Sequence, residues 1–243
     1  MSFFRYAGPI FKVAGRRWSQ HDFEILASRL RPFIPPHGKL LDLAGGTGDL
    51  AVGLARALSV EVIVLDATPQ MLRHVSGHPL VSVREGVAEA IPFPAGYFDA
   101  LLCSDAFHHF SDQDMAVREM ARVVRPGGGV LVLEMNPRGL LRPVILLERL
   151  LKEPASFMTP DQLAQFFSAR GIVGNSSPQK GLSYSFLGTV ASDRGRIRSS
   201  YLWVRCHWIE ARLLGSGSGA SAHLLVFRTT CAPLPDRSAQ CRR

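Results

Sequence analysis

Two stretches of this sequence crowd reactive side chains together. In "LLDLAGGTGDLAVGLA", residues 40–55, Gly45, Gly46, Thr47 and Gly48 stand between two carboxylates, Asp42 and Asp49. In "CSDAFHHF", residues 103–110, Ser104, Asp105, His108 and His109 follow an apolar run. A further acid, Asp66, closes the apolar run "VIVLD". A glycine turn that opens a helix is a phosphate cradle in nucleotide-binding proteins, because free backbone N–H groups gather there. Gly46-Thr47-Gly48-x-x-Ala51 meets a loose form of the dinucleotide fingerprint, whereas the Gly-Lys-Ser/Thr of a P-loop is missing. Yet Asp49 occupies the first helical turn and Asp42 precedes it, and two carboxylates repel a phosphate dianion. A cationic ligand reverses that sign.

S-adenosyl-L-methionine has that charge: an ammonium and a sulfonium, with no phosphate. The glycines let the backbone approach its methionine part closely, and Asp66 stands where a carboxylate accepts hydrogen bonds from ribose hydroxyls. The bland alternatives are that Asp49 caps a helix and that Asp66 lies on the surface. Methyl transfer is an in-line displacement in which a protein mainly positions the acceptor and excludes water. For an oxygen or acidic-carbon acceptor a base can assist, and Asp105, His108 and His109 are the candidates. Against that role, Asp105 can cap a turn and one histidine can pack inside the core.

Elements that would hold these residues follow from periodicity. The sequence predicts a helix through "HDFEILASRL" that opens near Ser19 and stops at Pro32. "KLLDLA", "EVIVLD", "VSVREG", "YFDALLCSD" and "GVLVLEM" read as strands, separated by helical segments at "DLAVGLARALS", "TPQMLRHVS" and "DQDMAVREMARVV". "TPDQLAQFFSARG" opens with Thr159 and Gln162 in capping-box spacing and Pro160 at the first helical position. "IVGNSSPQKGLSYSFLGTV" supplies two last strands. Alternating strands and helices predict an α/β fold: a doubly wound, mostly parallel seven-stranded sheet with helices on both faces. Ligands of such sheets bind beyond the carboxyl ends of the strands, where the candidate site residues Asp42, Gly45–Gly48, Asp66 and Ser104–His109 fall. "RPGGG" and the prolines 92 and 94 are structural punctuation.

Residues 1–38 are expected to form N-terminal helices, 39–190 the ligand-binding domain, and 191–243 an irregular basic tail. Of the net charge of +8, the tail's nine arginines against three acids account for +6, so the body is nearly neutral and no nucleic acid partner is expected for it. At 47% hydrophobic and 20% charged the 243-residue chain is globular. No apolar run is long enough for a membrane helix, and the N-terminus is a poor secretory signal, so a cytoplasmic location is expected. The four cysteines include no CxxC pair, which argues against a zinc site or a disulfide framework.

Three segments, "LLDLAGGTGDL", "EAIPFPAGYFDALLCSDAFHHF" and "EMARVVRPGGGVLVLE", resemble the class I S-adenosylmethionine-dependent methyltransferases, and among these the ubiquinone/menaquinone C-methyltransferase branch. The resemblance spans residues 40–134 strongly and continues more weakly through "TPDQLAQFFSARG". It implies a Rossmann-like methyltransferase fold with Asp42, Gly45, Gly46, Thr47 and Gly48 around the methionine moiety. Asp66 and Ala67 would meet the ribose, Val87 and Ala88 the adenine, and Ser104 both cofactor and acceptor. Val87 departs from the pattern, which has Asp or Asn there to bond the adenine amino group. His108-His109 stands where the quinone branch often has Arg-Asn, while a double His is common across the wider superfamily.

The acceptor implied is a small, apolar or aromatic molecule, quinone-like or phenol-like. "FFRYAGPIF" and "LLRPVILLERLL" are suited to close over a site as lids, or equally to pack in a core or dimer. The basic, aromatic N-terminal helix also suits peripheral contact with a membrane surface. Two other readings compete: a cofactor-binding module without turnover, for which Val87 is the hint, and an NAD-linked oxidoreductase. The tail reads as an appended extension, or as a basic arm for nucleic acid or anionic lipid.

Overall fold

The structure is a computed structural model that describes residues 18–137, 156–179 and 183–192. The N-terminal helix with "FFRYAGPIF", the lid segment "LLRPVILLERLL" and the tail from 193 onward lie outside the described residues. Helix α1 (Gln20–Leu30) starts where expected: Ser19 Oγ accepts from the Asp22 N–H while Asp22 returns a bond to the Ser19 N–H, a capping box. Then follow β1 (Lys39–Leu43), α2 (Asp49–Leu58), β2 (Glu61–Asp66), α3 (Pro69–Leu72), β3 (Val81–Glu85), β4 (Phe98–Ser104), α4 (Gln113–Val123), β5 (Val124–Met135), α5 (Pro160–Ser168), β6 (Ile172–Pro178) and β7 (Ser183–Val190). Helix α5 carries the expected capping box between Thr159 and Gln162. Helix α3 is a single turn, shorter than the sequence predicts: after Leu72 the chain tightens into i→i−3 bonds from the His74 and Val75 N–H groups to the Met71 and Leu72 carbonyls, and Ser76, Gly77 and Pro79 stop it beyond.

The seven strands form one sheet in the order β3-β2-β1-β4-β5-β7-β6. Strands β1 to β5 pair in parallel, and β7 runs antiparallel to both β5 and β6. Strand alternation sorts the core into two layers. Leu40, Val62, Val64, Ala100, Leu102 and Leu131 share one cluster with residues of α1, α2 and α3. Leu41, Ile63, Leu65, Leu101, Val130 and Val132 share the other with α4 and α5. The near-continuous apolar runs read in the sequence are therefore strands covered on both faces.

At the amino ends of the strands, polar groups are tied off. Asp99 Oδ2 accepts from the Lys39 N–H at 2.9 Å and its Oδ1 accepts from Arg125 Nε at 2.7 Å, while Arg125 Nη2 donates to the Phe33 carbonyl at 2.8 Å. Residues 125–128 bulge out of the ladder, since Phe98 pairs with Val124 and Ala100 already pairs with Gly129. Gly127 takes φ +75°, which explains the glycine there. The carboxyl ends are organised differently.

Candidate active site at the carboxyl ends of the strands

From β1 the chain winds outward through β2 to β3 and then returns to β4 on the other side of β1. Loops leaving β1 and β4 diverge to opposite faces at that reversal and open a crevice. A groove there, about 350 Å³ of open space, is lined by the ends of β1 and β2, by 86–89 after β3, and by 109–111 after β4. Asp66, Ala67, Val87, Ala88 and His109, all singled out in the sequence, line it together. Ser104 and Asp105 lie at the end of β4 outside the lining, and His108 is buried behind it.

The glycine turn joins β1 to α2. Gly46 at φ +54° and Gly48 at φ +71° take conformations that suit glycine. A Cβ at Gly45 would come within 2.5 Å of Asp42 Oδ2, so that carboxylate fills the space where a side chain would be. Strand alternation aims Asp42 at the start of α2, where the Ala51 backbone bonds to it. The side chain is 1% exposed, and its Oδ2 has no hydrogen-bond partner among the described residues. Burial, joined by the charge of Asp66, pushes Asp42 up to about 7 against the pull of the Ala51 bond.

Asp66 is partly buried, so the surface reading does not hold. Its Oδ2 accepts from the Gly46 N–H at 2.9 Å and its Oδ1 from the Thr68 N–H at 2.8 Å. Burial raises its pKa, and the bonds from Thr68 and Gly46 pull it back. Asp66 thus braces the glycine turn from the neighbouring strand, and each oxygen retains acceptor capacity for a hydroxyl. Asp49 is exposed and accepts from Thr47 Oγ1 at 2.9 Å; the helix cap is Gly48, so Asp49 adds charge to the first turn without capping it.

On the opposite wall Val87 is 39% exposed and presents no side-chain hydrogen bond. Glu89 beside it accepts from the N–H groups of Ser111 and Asp112 at 2.9 and 3.2 Å, which ties the loop after β3 to the loop after β4. Ser104 Oγ and Asp105 Oδ2 are 3.3 Å apart, and Asp105 takes φ +50°, a position asparagine and aspartate tolerate best after glycine.

A 3-10 turn, Phe107–His109, follows. His108 is 2% exposed, and its Nδ1 lies 2.7 Å from Glu134 Oε2. Glu134 Oε1 accepts from the Phe107 N–H at 2.9 Å. His109 is pushed down to about 4, first by burial and then by His108, so it is neutral at neutral pH. The sequence reading missed Glu134, although the signal was there: like Asp66 and Ser104, it is a polar residue at the carboxyl end of a buried strand.

Residues 41–132 match the model of a family described as a methyltransferase domain. A demethylmenaquinone methyltransferase of Deinococcus radiodurans is 42% identical over 105 residues, 41% of this chain and 44% of the relative. A ubiquinone/menaquinone biosynthesis C-methyltransferase of Shewanella frigidimarina is 37% identical over 131 residues, 50% of this chain and 49% of the relative. This chain therefore spans about half the length of the curated relatives it matches. Among solved structures, the YcgJ protein of Bacillus subtilis shares 26% identity and superposes with a TM-score of 0.57, covering 66% of this chain and 71% of that one. A chain from a complex between the Haloferax volcanii Trm112 methyltransferase activator and a methyltransferase superposes with a TM-score of 0.66 at 13% identity, over 78% of this chain and 98% of that one, which bears on fold alone.

Proposed function

Because residues 41–132 form a methyltransferase domain of the class I, S-adenosylmethionine-dependent kind, we propose that this chain binds S-adenosylmethionine in the groove and methylates a carbon of a small aromatic acceptor of the demethylated quinol class. The observation that carries the reading is Asp42. A carboxylate oxygen that is buried, without a partner among the described residues and packed on the glycine turn wants a positive group beside it. The same feature disfavours a pyrophosphate, and with it the NAD reading. The quinol class is supported by the two quinone-pathway methyltransferases this chain resembles over half their length.

S-adenosylmethionine supplies a methyl group already activated on a positive sulfur. The chain's share of the work is placement. Asp42 faces the cationic methionine end across the glycine turn. Asp66, braced by Gly46 and Thr68, accepts from the ribose hydroxyls, and Val87 and Ala88 flank the adenine with backbone groups and apolar surface. His109 lines the acceptor side as a neutral imidazole that can accept a hydrogen bond from a phenolic hydroxyl. Full proton transfer from a phenol near 10 to an imidazole near 4 is uphill by about 8 kcal/mol, so His109 orients that hydroxyl and does not act alone as the base. With S-adenosylmethionine held by Asp42, Asp66, Val87 and Ala88, the sulfur would be the leaving group for transfer of the methyl to the acceptor carbon, whose displaced proton would pass to solvent.

Calorimetric titration with S-adenosylmethionine and with NADH tests the cofactor, and labelled-methyl transfer to a reduced 2-polyprenyl-1,4-naphthoquinone and to a simple phenol tests the acceptor. Micromolar binding of S-adenosylmethionine alone, with label in the naphthoquinol, is the expected result. NADH binding alone would overturn the cofactor, and label only in the phenol would overturn the acceptor class. The tail from 191 onward is proposed to be dispensable, so truncation after Val190 should leave cofactor affinity within twofold.

A further inference from the structure

Glu134 makes two bonds to two consecutive residues of the turn that follows β4. One carboxylate oxygen takes the Phe107 N–H at 2.9 Å and the other meets His108 Nδ1 at 2.7 Å. Glu134 and His108 are 3% and 2% exposed, so water does not compete for these contacts. Two fixed points on adjacent residues hold a turn in position and in rotation, whereas one would leave it free to pivot. The next residue is His109, whose ring lies 4.0 Å from that of His108 and faces the groove. On its other side the His108 ring stacks on Phe157 at 4.3 Å, and the His108 carbonyl accepts from the Ser156 N–H at 2.8 Å. Gln113 Nε2 closes the knot by donating to the carbonyls of Phe107 and Ser156.

We infer that Glu134 is a positioning residue for the acceptor: it fixes His108 as the Nδ1–H tautomer and, through the stacked His108 ring, sets where His109 meets the groove. This inference rests on the methyltransferase reading above. Its chemical basis is the donor and acceptor count. A carboxylate can only accept, and one of its oxygens already serves the Phe107 N–H, so His108 must donate from Nδ1 to the other. In the neutral ring the second nitrogen, Nε2, is then the acceptor. A buried ion-pair-like contact is weak as a source of stability, since an apolar pair packs as well, but it is specific about orientation.

Glu134→Gln separates the roles. Glutamine has one acceptor and one donor. With its oxygen on the Phe107 N–H, its amide must donate to His108 Nδ1, which moves the imidazole proton to Nε2 with the shape conserved. Side-chain 15N NMR of the full chain is expected to show His108 protonated on Nδ1 in the wild type and on Nε2 in the variant, with His109 signals displaced. The affinity for S-adenosylmethionine should stay within twofold, because Glu134 is not in the groove lining, while kcat for the naphthoquinol falls at least tenfold. His108 carrying its proton on Nε2 in the wild type would overturn the inference. So would an inverted tautomer with kcat within twofold, the result expected of a merely structural contact. Should Glu134→Gln not fold, Glu134→Asp tests the reach instead: it keeps the acceptor but is one methylene shorter, so His108 should stay protonated on Nδ1 while kcat falls at least tenfold with cofactor affinity within twofold, and displaced His109 signals with kcat within twofold would overturn the inference. Failure of the wild type to bind S-adenosylmethionine would instead sink the functional reading, and the tautomer spectra would still decide whether Glu134 sets His108.

Discussion

Replacing Asp42 by asparagine should make the ligand-free protein more stable and the liganded protein weaker. Asp42 stands at about 7 in the folded state against an ordinary 3.8. The fold thus holds this proton more tightly than the unfolded chain does. Stability from the group is complete below pH 4 and is lost as pH rises towards 7. At pH 8 the loss amounts to about 4 kcal/mol, and at pH 5 to under about 2 kcal/mol. Asparagine removes the charge but buries an amide with no partner for its N–H groups, which costs about 1–3 kcal/mol. The net expectation is a gain of about 2 kcal/mol at pH 8 that vanishes near pH 5, read by denaturant unfolding across that range. S-adenosylmethionine affinity should fall at least tenfold, because the cation loses its counter-charge. Wild-type binding should also release protons: about half a proton per ligand at pH 7, measured as a dependence of the calorimetric enthalpy on the buffer's heat of ionisation. An Asp42→Asn protein that is less stable at pH 8 and binds as tightly as wild type would refute the reasoning.

Two further substitutions test the groove's walls. Val87→Asn supplies a side chain able to meet the adenine amino group, and one added hydrogen bond of about 1 kcal/mol should tighten S-adenosylmethionine about fivefold by titration; no change would mean that residue 87 does not face the base. Gly45→Ala places a methyl group within 2.5 Å of Asp42 Oδ2, and should lower stability by about 1–3 kcal/mol as well as weakening binding. Equal melting temperatures for Gly45→Ala and wild type would show that the turn is not packed on Asp42.

Much of this molecule can be read from residue order. Apolar runs such as "EVIVLD" and "ALLCS" leave only a strand covered on both faces, and the helices between them leave only parallel pairing. The same runs mark their carboxyl ends with Asp66 and Ser104, and so locate the groove. Other features depend on what meets in space. That Asp66 bonds the turn rather than standing at the surface follows from β1 and β2 being neighbours in register, and that Asp42 lies under Gly45 follows from how the turn folds back on the end of β1. Glu134 ends "VLVLEM" as visibly as Asp66 ends "VIVLD", yet its partner His108 is 26 residues away. Histidine chemistry therefore looked available from sequence, whereas the fold commits His108 to Glu134 and depresses His109. Helix α3 stops at Leu72 although Arg73, His74 and Val75 could continue it by propensity; Ser-Gly-His-Pro accounts only for the stop beyond Val75.

Asp99 and Asp42 sit at opposite ends of the same sheet and in opposite states. Asp99 is fully engaged by Lys39, Arg125 and the bulge at 125–128, whereas Asp42 keeps an oxygen without a partner among the described residues. From Lys39, whose N–H holds Asp99, to Asp42 the strand spans three residues, about 10 Å, so the two carboxylates are held by different contacts. The Asp99–Arg125 anchor is thus separate from the loops after β3 and β4, whereas Asp42 serves both the fold and the ligand site. Directed evolution could recast the loops after β3 and β4 for a new acceptor while leaving the Asp99–Arg125 end untouched, and a library restricted in that way would sample chemistry without sampling collapse.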